Sequence, residues 1–233
     1  MFFRHSEALW ADYPELVPGV LRAGGIRDGV DVRPRVAHFN SLAQARLAAG
    51  PEGEFPEVQA WRRAFSKMGL KPTQYRCASE SLLRRFRKEN ALPPLHPLVD
   101  LCNAISLAFA IPVAVFDIAR VVQQLEVRYA RGDENYLTFG GEIEHPEVGE
   151  VVFADAAEPL ANAHARRWTN RQSGLSAVSA GTREVLIVAE ALHASAAEDV
   201  GRLLGTLAQE LAAVWSVESR TQLLSRASPR FEF

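Results

Sequence analysis

The spacing of apolar residues changes character along this chain. From Pro56, the positions Val58, Trp61, Phe65 and Met68 fall on one helical face, and Gly69 and Pro72 end the run. The same spacing places Leu82, Leu83 and Phe86 on a second helix that ends near Asn90. It places Leu98, Leu101, Cys102 and Ile105 on a third that opens at Pro97. The pattern then shortens. Residues 111–116 form a continuous apolar run, the mark of a buried strand, and Leu125-Glu126-Val127-Arg128-Tyr129 alternates as a half-buried strand does. Gly132-Asp133-Glu134 signals a turn before a strand at 136–139, and further strands are predicted at Val151–Ala154 and 185–189. Helical spacing returns near the end. There Val200, Leu203, Leu204, Leu207, Leu211, Val214 and Trp215 make one stripe, with Ser195 and Glu198 predicted as its capping box.

The first fifty residues are less regular. Short apolar pieces at 16–21 and 30–32 read as strands, and Asn40 and Ser41 are candidate caps for a short helix running through Leu47 to Gly50. A turn-rich connection follows at 50–54. The tail from Ser225 is expected to fray. Early helices, central strands and a closing helix predict an α+β fold.

Composition sets bounds on the function. The 233 residues, 48% apolar and 23% charged, are ample for a full core. No stretch approaches the ~20 apolar residues that cross a bilayer, and the start has no signal-peptide pattern, so a cytoplasmic protein off the membrane is expected. Cys77 and Cys102 are too few for a disulfide framework, and reduced thiols are the simplest reading. The six histidines show no ligand-like spacing; no metal and no cofactor are expected, and there is no P-loop or dinucleotide-binding glycine motif. The net charge of −2 hides an asymmetry: nine Lys/Arg against Glu80 alone between Trp61 and Lys88, and eight acids with no Lys or Arg between Asp133 and Ala165. Such a division makes either a basic face for phosphates or two solvated faces.

One segment concentrates binding chemistry: Arg166-Arg167-Trp168-Thr169-Asn170-Arg171-Gln172-Ser173-Gly174. Arginine offers planar paired donors to phosphate or carboxylate, and tryptophan offers a face for stacking. The opposing reading packs Trp168 in the core and leaves the arginines in water. Upstream, Tyr75-Arg76-Cys77-Ala78-Ser79-Glu80 precedes a helix, where Ser79 suits a cap and Glu80 the helix dipole, or Arg76 and Glu80 face a pocket. Asp100, Asn103 and Asp117 lie among apolar residues and need partners if buried.

The run Leu98-Val99-Asp100-Leu101-Cys102-Asn103, followed by Ile111-Pro112-Val113-Ala114-Val115-Phe116-Asp117, resembles the B3/B4 domain of the phenylalanyl-tRNA synthetase β-subunit. A V-D-x-x-N helix there leads into a proline-marked strand ending in an aromatic-Asp pair. Trp61 to Gly69, Tyr75 to Leu82 and the Arg/Trp loop are similar to the free-standing branch of that family. The resemblance is clearest over 57–215. It implies a single domain over 1–233 with 1–50 as an N-terminal extension packing on it, and a layered sheet-sheet-helix sandwich.

In the synthetase the domain hydrolyses tyrosine wrongly esterified to phenylalanine tRNA. By position, Asn103 and Pro112 match residues of that editing pocket. A histidine two residues after the proline is replaced by Ala114, and the pocket glutamate falls at about Val188, with Glu190 two residues on and on the same strand face. The resemblance therefore implies an RNA-binding protein whose ligand is tRNA or aminoacyl-tRNA, with hydrolysis of a mischarged aminoacyl-tRNA in trans as the sharper form. Substrate contacts are expected from Arg76, Ser79, Glu80, Asn103, Pro112, Arg167, Trp168, Asn170 and Arg171. Contacts to the RNA backbone are expected from Arg62, Arg84, Arg85 and Arg166. The rival reading is a non-catalytic pocket for a small amino-acid-like ligand, without RNA. Sequence leaves the oligomeric state open.

Overall fold

A computed structural model describes residues 1–233, and its organising element is a strand buried on both faces. The elements in chain order are β1 (Phe2–His5), α1 (Glu7–Asp12), β2 (Val17–Gly24), α2 (Arg33–Ala49), α3 (Pro56–Lys67), α4 (Ala78–Glu89), α5 (Pro97–Phe109), β3 (Val113–Asp117) and β4 (Gln124–Tyr129). They continue with β5 (Tyr136–Leu137), β6 (Ile143–Glu144), β7 (Val151–Ala154), β8 (Ala163–Arg166), β9 (Arg171–Gln172), β10 (Glu184–Ala191), α6 (Ala196–Trp215), β11 (Ser219–Leu223) and β12 (Arg230–Glu232). β10 reads EVLIVAEA because it has a layer on each side. Leu186 and Val188 join Phe3, Phe116, Leu125 and Phe153 in one core. Val185, Ile187 and Ala189 join Leu98, Ile105, Leu203 and Leu207 in another.

Those two cores define three layers. A six-stranded sheet, β12-β1-β4-β7-β8-β9, packs on a four-stranded sheet, β11-β2-β10-β3, whose far face is covered by α5 and α6. This is the α+β, sheet-sheet-helix arrangement. α6 lies close on β2 because Gly19 has no side chain: a Cβ there would overlap Val200 and come within 2.9 Å of Leu204 Cδ1. Both thiols are sealed in these cores, where burial pushes Cys77 up to about 11 and Cys102 up to about 12. No helix is long and apolar enough to cross a membrane.

Several local expectations are corrected. α2 begins at Arg33, with Pro34 in its first turn, instead of at Asn40, and residues 30–32 form no strand. The predicted capping box does not form, since the Ser195 hydroxyl donates to Asp199 at 2.6 Å and makes no backbone cap. The tail does not fray: β12 pairs with β1 in register Phe3↔Phe231, and Phe231 is buried. Residues 1–50 supply β1, parallel to β4, and β2, antiparallel to β10, each with neighbours on both sides.

The β7–β8 connection is held by one carboxylate. Asp155 accepts hydrogen bonds from the backbone of Asn162 (2.8 Å) and Ala157 (3.0 Å), from the Asn162 amide (3.0 Å) and from His164 Nε2 (3.2 Å). Burial opposes its charge, but these donors outweigh burial and hold its pKa at about 2. A carboxyl lowered in the folded state stabilises it above the unfolded value of ~3.9 and loses that contribution as pH falls through the folded value. Urea denaturation should therefore show wild type more stable than Asp155→Asn by about 1–3 kcal/mol at pH 7, the difference fading between about pH 4 and pH 2. An equal gap at pH 7 and pH 2.5 would refute the assignment.

Candidate functional site

The connection from β8 to β9 turns through two residues in the left-handed region, Arg167 at φ 48° and Trp168 at φ 56°. Non-glycine residues there carry strain of about 1–3 kcal/mol each, so something must hold them. The indole does. Trp168 is fully buried, edge-on to Tyr13 at 4.9 Å and Trp61 at 5.0 Å, and its Nε1 donates to Glu190 Oε1 at 3.0 Å. This corrects the stacking role expected of Trp168, because the ring is enclosed by protein and offers no face to a base.

The same accounting redistributes the arginines. Arg166 is buried on Glu144 (2.7 Å) and Glu150 (2.6 Å), so it is spent on the fold and does not reach a phosphate. Arg167 lies over the Tyr75 ring at 4.9 Å, while Arg171, half-exposed, is 3.4 Å from Glu144. The acids between Asp133 and Ala165 thus serve in part as counter-charges for this loop. Asn170 donates to the Arg76 carbonyl at 2.8 Å and ties the loop to the start of α4.

Glu80 is fully buried, bound by Arg62 at 2.7 Å with Arg76 at 3.5 Å, and Arg84 and Arg87 converge on buried Glu52 at 3.2 and 2.7 Å. Arg85 pairs with Glu89 at 3.0 Å. Ser79 is also fully buried, one residue inside a helix capped at Cys77, so it neither caps nor meets a ligand. Arg62, Arg76 and Glu80 form a knot of ion pairs at the start of α4, and neither they nor Ser79 border the three hollows described next.

Asn103, Pro112, Trp168, Asn170 and Arg171 do border concave surface. Three hollows adjoin one another. The largest of these, about 430 Å³, lies between α5, β3 and the β5–β6 tip and is bordered by His96, Val99, Asn103, Phe139 and Gln172. Asn103 also borders a second, about 260 Å³, which reaches Arg33, Asn40 and Pro94. Val113 and Gln172 are shared with a third, about 70 Å³, which holds Pro112, Ala114, Trp168, Asn170, Val188 and Glu190. Val188 and Glu190 face the same hollow, as their spacing on one strand requires. Asn103 and Pro112 are thereby separated by the Val113–Gln172 wall, in neighbouring hollows instead of one.

Sequence reasoning overlooked three residues here. Phe139 is 75% exposed at the rim of the large hollow, an aromatic face open to solvent. His96 caps α5 by accepting from the Leu98 amide at 3.2 Å, and burial holds its pKa below the usual histidine range. It is therefore neutral with its proton on Nε2, an atom that is buried and has no partner. His5, from β1, meets Glu190 Oε1 at 2.6 Å. No motif flagged these, although a lone exposed phenylalanine in a turn beside Gly140 and Gly141 was a readable signal.

Comparison with known proteins adds three findings. Residues 60–215 match the family model described as B3/4 domain. The chain is 32% identical to the phenylalanine–tRNA ligase beta subunit of Coxiella burnetii over 84 residues, 34% of this chain and 10% of that protein. With the same subunit of Pasteurella multocida it is 24% identical over 173 residues, 74% of this chain and 21% of that one. The chain thus spans about a fifth or less of the length of these relatives. Among solved structures, an N-terminal fragment of the phenylalanyl-tRNA synthetase beta-subunit from Pyrococcus horikoshii aligns over 94% of this chain and 50% of that one, with a TM-score of 0.49 and 12% identity.

Replacing Trp168 with Phe keeps an aromatic ring but withdraws one donor from a buried carboxylate, at a cost of about 1–3 kcal/mol. Urea denaturation of Trp168→Phe should show that loss; stability unchanged within about 0.5 kcal/mol would mean the indole–Glu190 bond holds nothing.

Proposed function

The chain belongs to the B3/4 domain family, and from that premise we propose that it binds the aminoacyl-bearing end of tRNA along the three adjoining hollows. The observation that carries this reading is their adjacency: Asn103 borders two of them, and Val113 with Gln172 stand between the other pair. An extended, single-stranded ligand follows such a path. Phe139 supplies a face for a base, the role first expected of Trp168. Asn103, whose side chain makes no hydrogen bond in the protein, is free to read a polar edge. Relatives named as phenylalanine–tRNA ligase subunits support a tRNA-related role. In the sharper form the protein removes a wrongly attached amino acid in trans, and an aminoacyl ester is activated enough that positioning contributes much of the acceleration.

A second reading, a small amino-acid-like ligand held without RNA, draws on the ion pairs. Five of the nine cations between Trp61 and Lys88 are bound to Glu52, Glu80 or Glu89. That leaves Arg63, Lys67, Lys71 and Lys88 without a carboxylate partner. Four phosphate contacts give a salt slope no steeper than about −3 for a single strand.

Titration of total tRNA against salt separates the readings: tRNA should bind at low salt, with log affinity falling at a slope between about −1 and −3. Phe139→Ala should weaken binding at least about five-fold, from the loss of one stacked base, with little change in stability because the ring is exposed. No detectable binding at 20 mM salt, or a Phe139→Ala affinity equal to wild type, would count against this reading.

A further inference from the structure

A fourth hollow, about 520 Å³, opens between β1, α1 and the turn that leads into β12, and it shares no bordering residue with the three described above. Its size falls within the ~300–1,000 Å³ of small-ligand sites. Of the residues around it only Glu126 lies within 60–215, so the hollow is made almost wholly by the two ends of the chain. Its four charged residues balance in sign but are unequally satisfied. Arg4 and Glu126 pair with each other at 2.9 Å. Glu7 and Arg226 border the same hollow, are exposed, and have no ion-pair partner. Arg226 is nonetheless held in place. Ser225 and Ser228 exchange backbone hydrogen bonds at 3.1 Å each, closing the turn that carries it, and one guanidinium nitrogen donates to the Trp10 carbonyl. Its remaining N–H groups have no partner in the protein. His5 and Trp10 serve as wall only, because their unpartnered nitrogens, Nδ1 and Nε1, are closed to solvent.

We propose that this hollow binds a free α-amino acid, with Arg226 taking its carboxylate and Glu7 its ammonium. A guanidinium presents paired, planar donors that match a carboxylate, and one tethered at a single nitrogen still offers such a pair. The Arg4–Glu126 pair beside them narrows the choice of ligand. A phosphate or an RNA backbone here would stand against Glu7 and Glu126, and a polyamine against Arg4 and Arg226, each a like-charge contact. A zwitterion meets both signs at once. Ala11 and Pro229 leave apolar wall for its side chain. The ligand would tie α1 to the turn before β12, two segments that come from opposite ends of the chain. The site is separate from the surface proposed for tRNA, so either reading stands or falls without the other.

The test is isothermal titration calorimetry of the full chain with each standard amino acid in turn, up to about 10 mM. At least one should bind saturably with a Kd on the order of 1 mM or tighter. Its methyl ester, which lacks the carboxylate charge, and its N-acetyl form, which lacks the ammonium, should each bind at least about ten-fold more weakly. Arg226→Gln should weaken the amino acid at least about ten-fold and bind acid and methyl ester alike. Glu7→Gln should weaken it similarly and bind the free and N-acetyl forms alike, a pattern that general loss of structure does not give. Both side chains are exposed, so both variants should keep the wild-type urea midpoint. Should Arg226→Gln fail to fold for want of its bond to Trp10, Glu7→Gln decides alone. No saturable heat from any amino acid, or a folded variant binding within two-fold of wild type, overturns the proposal. Binding that Asn103→Ala removes and Glu7→Gln spares belongs to the hollows beside α5 and overturns it as well.

Discussion

A buried carboxylate joins the layers of this protein. Glu190 sits on β10 in the four-stranded sheet, His5 on β1 in the six-stranded sheet, and Trp168 on the turn that closes the latter, and all three meet at one oxygen. Desolvating a carboxylate costs several kcal/mol, which is recovered only when donors of good geometry replace the lost water. The sheets therefore cannot slide past one another without leaving that charge unpaired. The same requirement explains the strained turn: Arg167 and Trp168 remain left-handed because relaxing them would withdraw the indole from Glu190 and from the ring contacts with Tyr13 and Trp61.

Much of the fold was legible because its hydrophobic periods are long. The helices at Pro56, Leu82, Pro97 and Val200 and the strands at Val113, Leu125, Val151 and Val185 each repeat their pattern often enough to outweigh local ambiguity. What failed were short elements whose partners are remote. β1 and β12 are four and three residues long and pair with each other across the whole chain, so neither has a local pattern. α2 was placed late because Asn40 and Ser41 look like caps, whereas Pro34 pre-sets the first turn seven residues earlier.

The site was legible in its parts and not in its assembly. Strand period alone places Val188 and Glu190 on one face, and Asn103 and Pro112 do border neighbouring hollows. Charge was the misleading signal. A row of arginines with one acid nearby reads as a phosphate-binding face, but Glu52, Glu80, Glu144 and Glu150 reach in from other elements and absorb Arg62, Arg84, Arg87 and Arg166. Linear counts cannot see counter-charges that arrive through tertiary structure. The aromatic signal inverted likewise: the tryptophan in the suggestive loop is core, and the exposed face belongs to Phe139, in a turn without other chemistry.

This redistribution bears on how such a surface can recognise RNA. With its arginines largely paired, the protein has little long-range electrostatic attraction, and on the proposed reading the affinity for RNA comes from short-range contacts along the hollows. In that reading, stacking on Phe139 and hydrogen bonding at Asn103 would act only when a ligand's end is already in place, and so would select for a flexible terminus over a duplex flank. On the proposed reading, a net charge of only −2 fits recognition of a single chain end better than recognition of a long backbone.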